Sequence, residues 1–253
     1  MQVALVQTAL EWENPSENRA LLDKKLSAIS PHTDLVVLPE MFTTGFTMHP
    51  NSCAETMEGP TVEWMRRWAH QLQAALVGSV VIEENGLFYN RLLFVTPEGD
   101  ISMYDKKHRF TLAGEDRVYE AGSHRVIIDY KGWKICPLIC YDLRFPVFSR
   151  NTEEYDISLY VANWPAPRIQ AWDVLLRARA VENMCYTLGV NRVGIDGNGL
   201  EYPGHSQAVD CFGNYLLLPQ QMEEVFIVEM DKEKLVEARS RFPFLNDRDP
   251  FTL

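Results

Sequence analysis

Long apolar runs are absent from this sequence. Its 253 residues contain no segment that approaches the ~18 consecutive apolar residues of a membrane-spanning helix. Residues 1–7 carry neither the basic segment nor the cleavage site of an export signal. We therefore expect a cytoplasmic protein that has no membrane partner.

Basic residues and cysteines are both few. Lysine and arginine number 24 against 35 aspartate and glutamate residues, and the net charge of −11 disfavours nucleic acid as a partner. The 5 cysteines are an odd number scattered over a long chain, which is typical of reduced thiols. The 6 histidines show no metal-binding spacing, and no glycine-rich phosphate loop is present. We expect no metal and no cofactor.

The order of the predicted elements indicates one α/β domain that spans residues 1–253. No repeat, low-complexity stretch or linker interrupts the chain. Strands and helices alternate first and hairpins follow, which favours one mixed sheet or two packed sheets with helices outside. The predicted strands cover residues 2–7, 34–38, 74–82, 92–96, 101–105, 125–130, 133–139, 157–162, 187–191, 206–210, 215–218 and 225–230. The predicted helices run from the turn at 14–18 to about 29 and over 61–73, 145–150, 171–183 and 232–239, and residues 106–122 form a polar loop.

Three apolar strands each end close to a side chain that could carry chemistry. Glu40, Lys106 and Cys140 follow these strands, and they would meet at one rim if the strands shared a sheet with their carboxyl ends together. A carboxylate can take the proton of a thiol, and an ammonium can stabilise an oxyanion. The backbone N–H of Tyr141 is a candidate for the second oxyanion donor. Each residue alone also has an ordinary explanation, as a buried thiol, a turn acid or a solvated lysine.

Several ordered segments resemble the nitrilase superfamily of carbon–nitrogen hydrolases. LPE at 38–40, YDKKH at 104–108 and CYDLRFP at 140–146 are similar to the family's Glu, Lys and Cys segments. NWP at 163–165, RARAVEN at 177–183, NRVG at 191–194 and GHS at 204–206, with Asp210 and Gly213, extend the match over nearly the whole chain. The resemblance implies a four-layer α-β-β-α sandwich and a homodimer or larger assembly.

The resemblance also implies roles for individual residues. Glu40 would be the general base, Lys106 would stabilise the oxyanion and Cys140 would form a thioester. Lys106 is preferred to Lys107 because the family's catalytic lysine comes first in this segment. A second glutamate of the family, which orients the lysine and the attacking water, corresponds by spacing to Glu115, with Glu120 as the competitor.

Within the superfamily, segments 39–46 and 242–249 are similar to the ω-amidase branch, whose enzymes hydrolyse the terminal amide of 2-oxo acid monoamides such as 2-oxoglutaramate. Such a substrate carries a carboxylate, for which Arg144 is the candidate bidentate partner. The alternative for Arg144 is a structural ion pair with an acid such as Asp142. Phe46, Tyr141 and Trp164 are candidates for the pocket wall, although aromatic residues at strand ends also belong to cores.

Other functions stay open at this point. Within the same enzyme class, the substrate could be an N-carbamoyl compound or a nitrile. A non-catalytic binding protein on the same fold is an alternative of a different class, but such a protein would be free to lose Glu40, Lys106 and Cys140. A metal-dependent hydrolase is a third alternative, which a chelator assay would test.

Overall fold

Two mixed β-sheets form the centre of the computed structural model, which describes residues 1–251. The strands are β1 Gln2–Gln7, β2 Leu35–Val37, β3 Ala75–Glu84, β4 Leu87–Val95, β5 Ile101–Asp105, β6 Ile128–Tyr130, β7 Trp133–Ile139, β8 Ile157–Ala162, β9 Tyr186–Asn191, β10 Val193–Ile195, β11 Glu201–Pro203, β12 Ser206–Val209, β13 Tyr215–Gln220 and β14 Glu224–Glu229. The helices are α1 Pro15–Leu26, α2 Pro60–Leu72, α3 Pro146–Ser149, α4 Ile169–Asn183 and α5 Lys232–Arg241.

Each sheet has 6 strands, with consecutive parallel strands inside and antiparallel strands at the edges. The first sheet has the order β14-β1-β2-β3-β4-β5, in which β1, β2 and β3 are parallel. The second sheet has the order β13-β12-β9-β8-β7-β6, in which β7, β8 and β9 are parallel. The parallel strands are almost wholly apolar and buried on both faces, as expected for strands covered by layers on each side.

Alternate residues of β1 face two different apolar clusters. Val3 and Leu5 pack into the cluster shared with the second sheet. Ala4 and Val6 pack into another cluster, to which helices α1 and α2 contribute. Successive side chains of a strand point to opposite faces, so the first sheet has the second sheet on one side and helices on the other.

Helix α4 covers the outer face of the second sheet. Its Trp172 and Leu176 are fully buried, and they reach the sheet at Gly189 of β9. A Cβ atom at Gly189 would lie 2.4 Å from Leu176 Cδ1, so only glycine permits this close approach. The predicted four-layer α-β-β-α sandwich is therefore confirmed.

Local differences from the predicted elements have identifiable causes. Asn85 and Gly86 connect β3 and β4 with φ angles of 55° and 79°, the left-handed pair that a two-residue hairpin turn requires. Both strands are consequently longer than the predicted 74–82 and 92–96. A short hairpin, β10 with β11, was not predicted from the sequence. Within residues 1–251, no helix has the length and apolar character needed to cross a membrane.

Candidate active site

Glu40, Lys106 and Cys140 come from two sheets. Glu40 and Lys106 follow β2 and β5 of the first sheet, whereas Cys140 follows β7 of the second. The single rim considered from the sequence is therefore wrong. The residues still meet, because the two sheets face each other and place these strand ends at the same end of the sandwich.

Lys106 is held between two carboxylates. Its Nζ lies 2.8 Å from Glu40 Oε1 and 2.9 Å from both carboxylate oxygens of Glu115. All three side chains are almost completely buried. Burial by itself disfavours the ammonium, but the charges of Glu115 and Glu40 outweigh it and raise the pKa of Lys106 above its ordinary value. Lys106 therefore remains a cation within this cluster.

The Glu40 carboxylate is fixed by two asparagines in addition to Lys106. Asn90 Nδ2 donates to Oε1 at 2.8 Å, and the Asn163 backbone N–H donates to Oε2 at 2.8 Å. Asn163 also donates from Nδ2 to the Glu40 carbonyl at 2.6 Å. The orientation of Glu40 is thus set by donors from both sheets, because Asn90 lies in β4 and Asn163 follows β8.

Cys140 lies in a strained turn directly after β7. Its φ angle is 44°, in the left-handed region that costs a non-glycine residue about 1 kcal/mol or more. The turn Cys140–Arg144 leads the chain away from the strand and leaves the thiol partly exposed to the cavity described below. Burial and then the charge of Glu40 raise the pKa of Cys140 well above its ordinary value, although Lys106 acts in the opposite direction. The thiol is neutral near pH 7 and needs a base.

The two candidates for the second glutamate have different environments. Glu115 is buried in the turn Glu115–Arg117, and its Oε2 accepts a hydrogen bond from the Phe110 backbone N–H. Burial and then Glu40 raise the pKa of Glu115 against the opposing effect of Lys106. Glu120 is exposed, and only its backbone N–H is bound, to the Phe88 carbonyl. The structure brings Glu115, and not Glu120, to Lys106.

A cavity of about 320 Å³ opens above the cluster. Lys106 and Cys140 line it together with the predicted wall residues Phe46, Tyr141 and Trp164. Aromatic rings thus provide a largely apolar wall around a few polar groups, as in many small-molecule sites.

Arg144 also lines the cavity, with its guanidinium 5.0 Å from the centre of the Trp164 ring. The alternative ion pair with Asp142 does not form. Asp142 is fully buried and accepts hydrogen bonds from Tyr104, His108 and Ile139 instead.

Sequence reasoning did not assign Asn90 or the role of Asp142. Asn90 lies inside a strand and has no local signal, whereas Asp142 stands within the CYDLRFP segment and could have been singled out there. Among residues 1–251, no group of three or more His, Cys, Asp or Glu side chains is arranged so that it could hold a metal ion.

The fold and the cluster define a hydrolase class that combines a thiol, a carboxylate and a buried ammonium on an α-β-β-α sandwich. Residues 2–240 match the model of the carbon–nitrogen hydrolase family, and the chain belongs to that family. The resemblance found in the sequence is thereby confirmed.

Relatives match the chain over nearly its whole length. Omega-amidase YafV of Escherichia coli (strain K12) is 42% identical over 254 residues, covering 100% of this chain and 98% of the relative. The 2-oxoglutaramate amidase of Bacillus subtilis (strain 168) is 32% identical, covering 97% and 96%. The crystal structure of XC1258 from Xanthomonas campestris, a CN-hydrolase superfamily protein with an arsenic adduct in the active site, has a TM-score of 0.98 and 43% identity, covering 100% and 98%.

Proposed function

We propose that this chain is a cysteine-dependent amidase that converts small 2-oxo acid monoamides, such as 2-oxoglutaramate, to the acid and ammonia. The observation that carries this proposal is the buried contact of Lys106 with Glu40 and Glu115, next to the cavity that Cys140 lines. The names of the two relatives, an omega-amidase and a 2-oxoglutaramate amidase, support the substrate class. Residues 1–253 act as one catalytic domain in this proposal.

The first half of the reaction forms a thioester. Glu40 takes the Sγ proton of Cys140, and the sulfur attacks the amide carbonyl carbon. Lys106 and the backbone N–H of Tyr141 stabilise the resulting oxyanion. When the C–N bond breaks, Glu40 passes its proton to the leaving nitrogen, and ammonia departs.

The second half restores the enzyme. Glu40 takes a proton from a water molecule, whose oxygen attacks the thioester carbon, and the C–S bond breaks. The proton then returns to the Cys140 sulfur, while the product leaves as an acid. Glu115 holds Lys106 in place through both steps and orients the attacking water.

The position of Arg144 in the cavity supports the proposal that the substrate carries a carboxylate. A guanidinium binds a carboxylate through two parallel hydrogen bonds, and its stack on Trp164 leaves the N–H edge available to do so. An N-carbamoyl acid would offer the same group, whereas a simple nitrile would not. A binding protein without catalysis would not need the buried ammonium and neutral thiol.

Ammonia release from 2-oxoglutaramate tests the proposal when it is measured beside glutamine, an N-carbamoyl amino acid and a simple nitrile. We expect selective turnover of the 2-oxo amide, with Cys140→Ala as the blank. Faster turnover of another compound would retain the thiol chemistry and reject the substrate. No ammonia release from any of the four compounds would favour a binding protein.

The proposal includes a cytoplasmic homodimer. Val174 and Val181 on the outer face of α4 are 66% and 48% exposed, and a second copy of the chain would cover such apolar side chains. Light scattering should give twice the chain mass of 29.1 kDa. A monomer at micromolar concentration would contradict the homodimer without affecting the proposed chemistry.

A further inference from the structure

Two guanidinium groups reach the cavity. Besides Arg144, Arg168 lines it, with its guanidinium 5.1 Å from the centre of the Phe110 ring. Within residues 1–251, neither arginine lies within 4.0 Å of a carboxylate oxygen. In a chain with 35 acidic residues, two half-buried cations that share a cavity without a counter-ion indicate an anionic ligand.

Asp196 does not act as the counter-ion of these two arginines. It is the only aspartate or glutamate of the described residues that lines the cavity, and both of its oxygens are already used. Oδ1 accepts from the backbone N–H groups of Asn198 and Leu200 at 2.9 Å, and Oδ2 accepts from Tyr202 Oη at 2.9 Å. Asp196 thus fixes the loop between β10 and β11 and leaves both arginines without an acidic partner.

The backbone of Arg168 is fixed against the ring that Arg144 covers. Arg168 ends the short turn Ala166–Arg168, which follows Pro165 and precedes α4. Its carbonyl accepts a hydrogen bond from Trp164 Nε1 at 2.8 Å. The same indole therefore supports the Arg144 guanidinium on its face and holds the Arg168 backbone at its edge, so one side chain helps to position both arginines.

We propose that Arg168 is a specificity-determining residue, which binds the carboxylate of the ω-amide acid together with Arg144. This inference rests on the proposed amidase function and deepens it. The pair also favours a 2-oxo acid over the corresponding amino acid. The α-ammonium of glutamine would face two cations, while Asp196 is occupied by its own loop.

Arg168→Gln tests the role with two substrates, 2-oxoglutaramate and the neutral pentanamide. We expect the KM for 2-oxoglutaramate to rise about tenfold or more, with kcat nearly unchanged, because a charge-assisted contact is lost. Turnover of pentanamide should not change, and the preference for 2-oxoglutaramate over glutamine should fall. An equal effect on both amides, or no effect, would overturn the role.

Arg177→Gln is the matched control. Arg177 lies on α4, outside the cavity, and its guanidinium is 5.1 Å from the centre of the Tyr215 ring. The control removes the same charge and the same kind of stack, and it should leave both KM values unchanged. Arg168→Met, which keeps an apolar stem beside Phe110, provides a second variant with the same expected rise in KM.

A binding measurement separates this inference from the proposed function. Calorimetry with glutaramate, which has one carboxylate and one neutral amide, on Cys140→Ala protein should give a Kd that Arg168→Gln weakens about tenfold. If the wild type fails to hydrolyse 2-oxoglutaramate but this difference is found, the anion site stands and the proposed function falls. Equal glutaramate binding with and without Arg168, or no binding at all, would overturn the inference.

Discussion

Tyr104 Oη donates a 2.7 Å hydrogen bond to Asp142 Oδ2, and both side chains are buried. Tyr104 belongs to β5 of the first sheet, two residues before Lys106, whereas Asp142 follows β7 of the second sheet, two residues after Cys140. Burial and then the Asp142 charge raise the pKa of Tyr104 well above its ordinary value, so the phenol stays a donor. The bond connects the strand that precedes Lys106 with the turn that carries Cys140.

Asp142→Asn should lower kcat about 100-fold, because it disturbs the position of Cys140. The carboxylate accepts four hydrogen bonds, from Tyr104, from the Ile139 N–H and from the N–H and Nδ1 of His108. An amide nitrogen would face a donor at one of these sites and destabilise the fold by roughly 1–3 kcal/mol. Kinetics and thermal unfolding measure the two effects.

Tyr104→Phe is the matched comparison, because it removes one of these four bonds, together with the bond that Tyr104 Oη accepts from the Lys107 backbone N–H. We expect a smaller loss of kcat than for Asp142→Asn and an unchanged pH profile of Cys140 alkylation. If Asp142→Asn lost stability but kept full kcat after correction for the folded fraction, Asp142 would have no positioning role.

Cys140→Ala should abolish turnover and keep the fold, because only this thiol faces the base and the ammonium. Cys136→Ala is the control in the strand that precedes Cys140, since Cys136 is completely buried in the core. Its loss should cost about 1–2 kcal/mol of stability and little activity. Ammonia release and thermal unfolding check both variants. Activity of Cys140→Ala above a tenth of wild type would contradict its role as nucleophile.

Glu115→Gln should reduce kcat about 100-fold with a smaller change in KM. Lys106 would lose one of its two carboxylate partners, and the attacking water would lose its orienting group. Glu120→Gln changes the same charge at an exposed position on the same loop and should leave kcat unchanged. Steady-state kinetics of the two variants measures these changes, and comparable losses of kcat would contradict the assignment of Glu115.

The pH dependence of Cys140 alkylation should shift to lower pH in Glu40→Gln. The negative charge of Glu40 is one cause that raises the Cys140 pKa, after burial, while Lys106 lowers it. When that charge is removed, the effect of the Lys106 ammonium remains and the pKa of Cys140 falls. The thiolate then forms at lower pH, even though turnover is lost. Iodoacetamide alkylation against pH measures the midpoint, and an unchanged or higher midpoint would show that Glu40 does not act on the thiol.

Much of the architecture could be predicted from local patterns. Apolar runs of five to seven residues mark the buried strands, and the residues that follow them carry the chemistry. The dipeptide Asn85-Gly86 is also a local signal, because it favours a two-residue hairpin turn, and the strands beside it extend up to this turn.

The assignment of strands to sheets could not be predicted in the same way. Pairing between β2 and β3, or between β7 and β8, depends on side-chain packing across dozens of residues, which no local spacing reports. For the same reason Asn90 was not recognised. It is an ordinary strand residue until the fold places its amide against Glu40.

The buried trio of Glu40, Lys106 and Glu115 bears on the difference between substrate and product. It places two carboxyl groups against one ammonium, and a neutral amide group adds no further charge beside it. Hydrolysis turns that amide into a second carboxylate at the same position. Hydrolysis thus adds an anionic group beside the buried trio, and we expect the product to bind more weakly than the amide from which it forms.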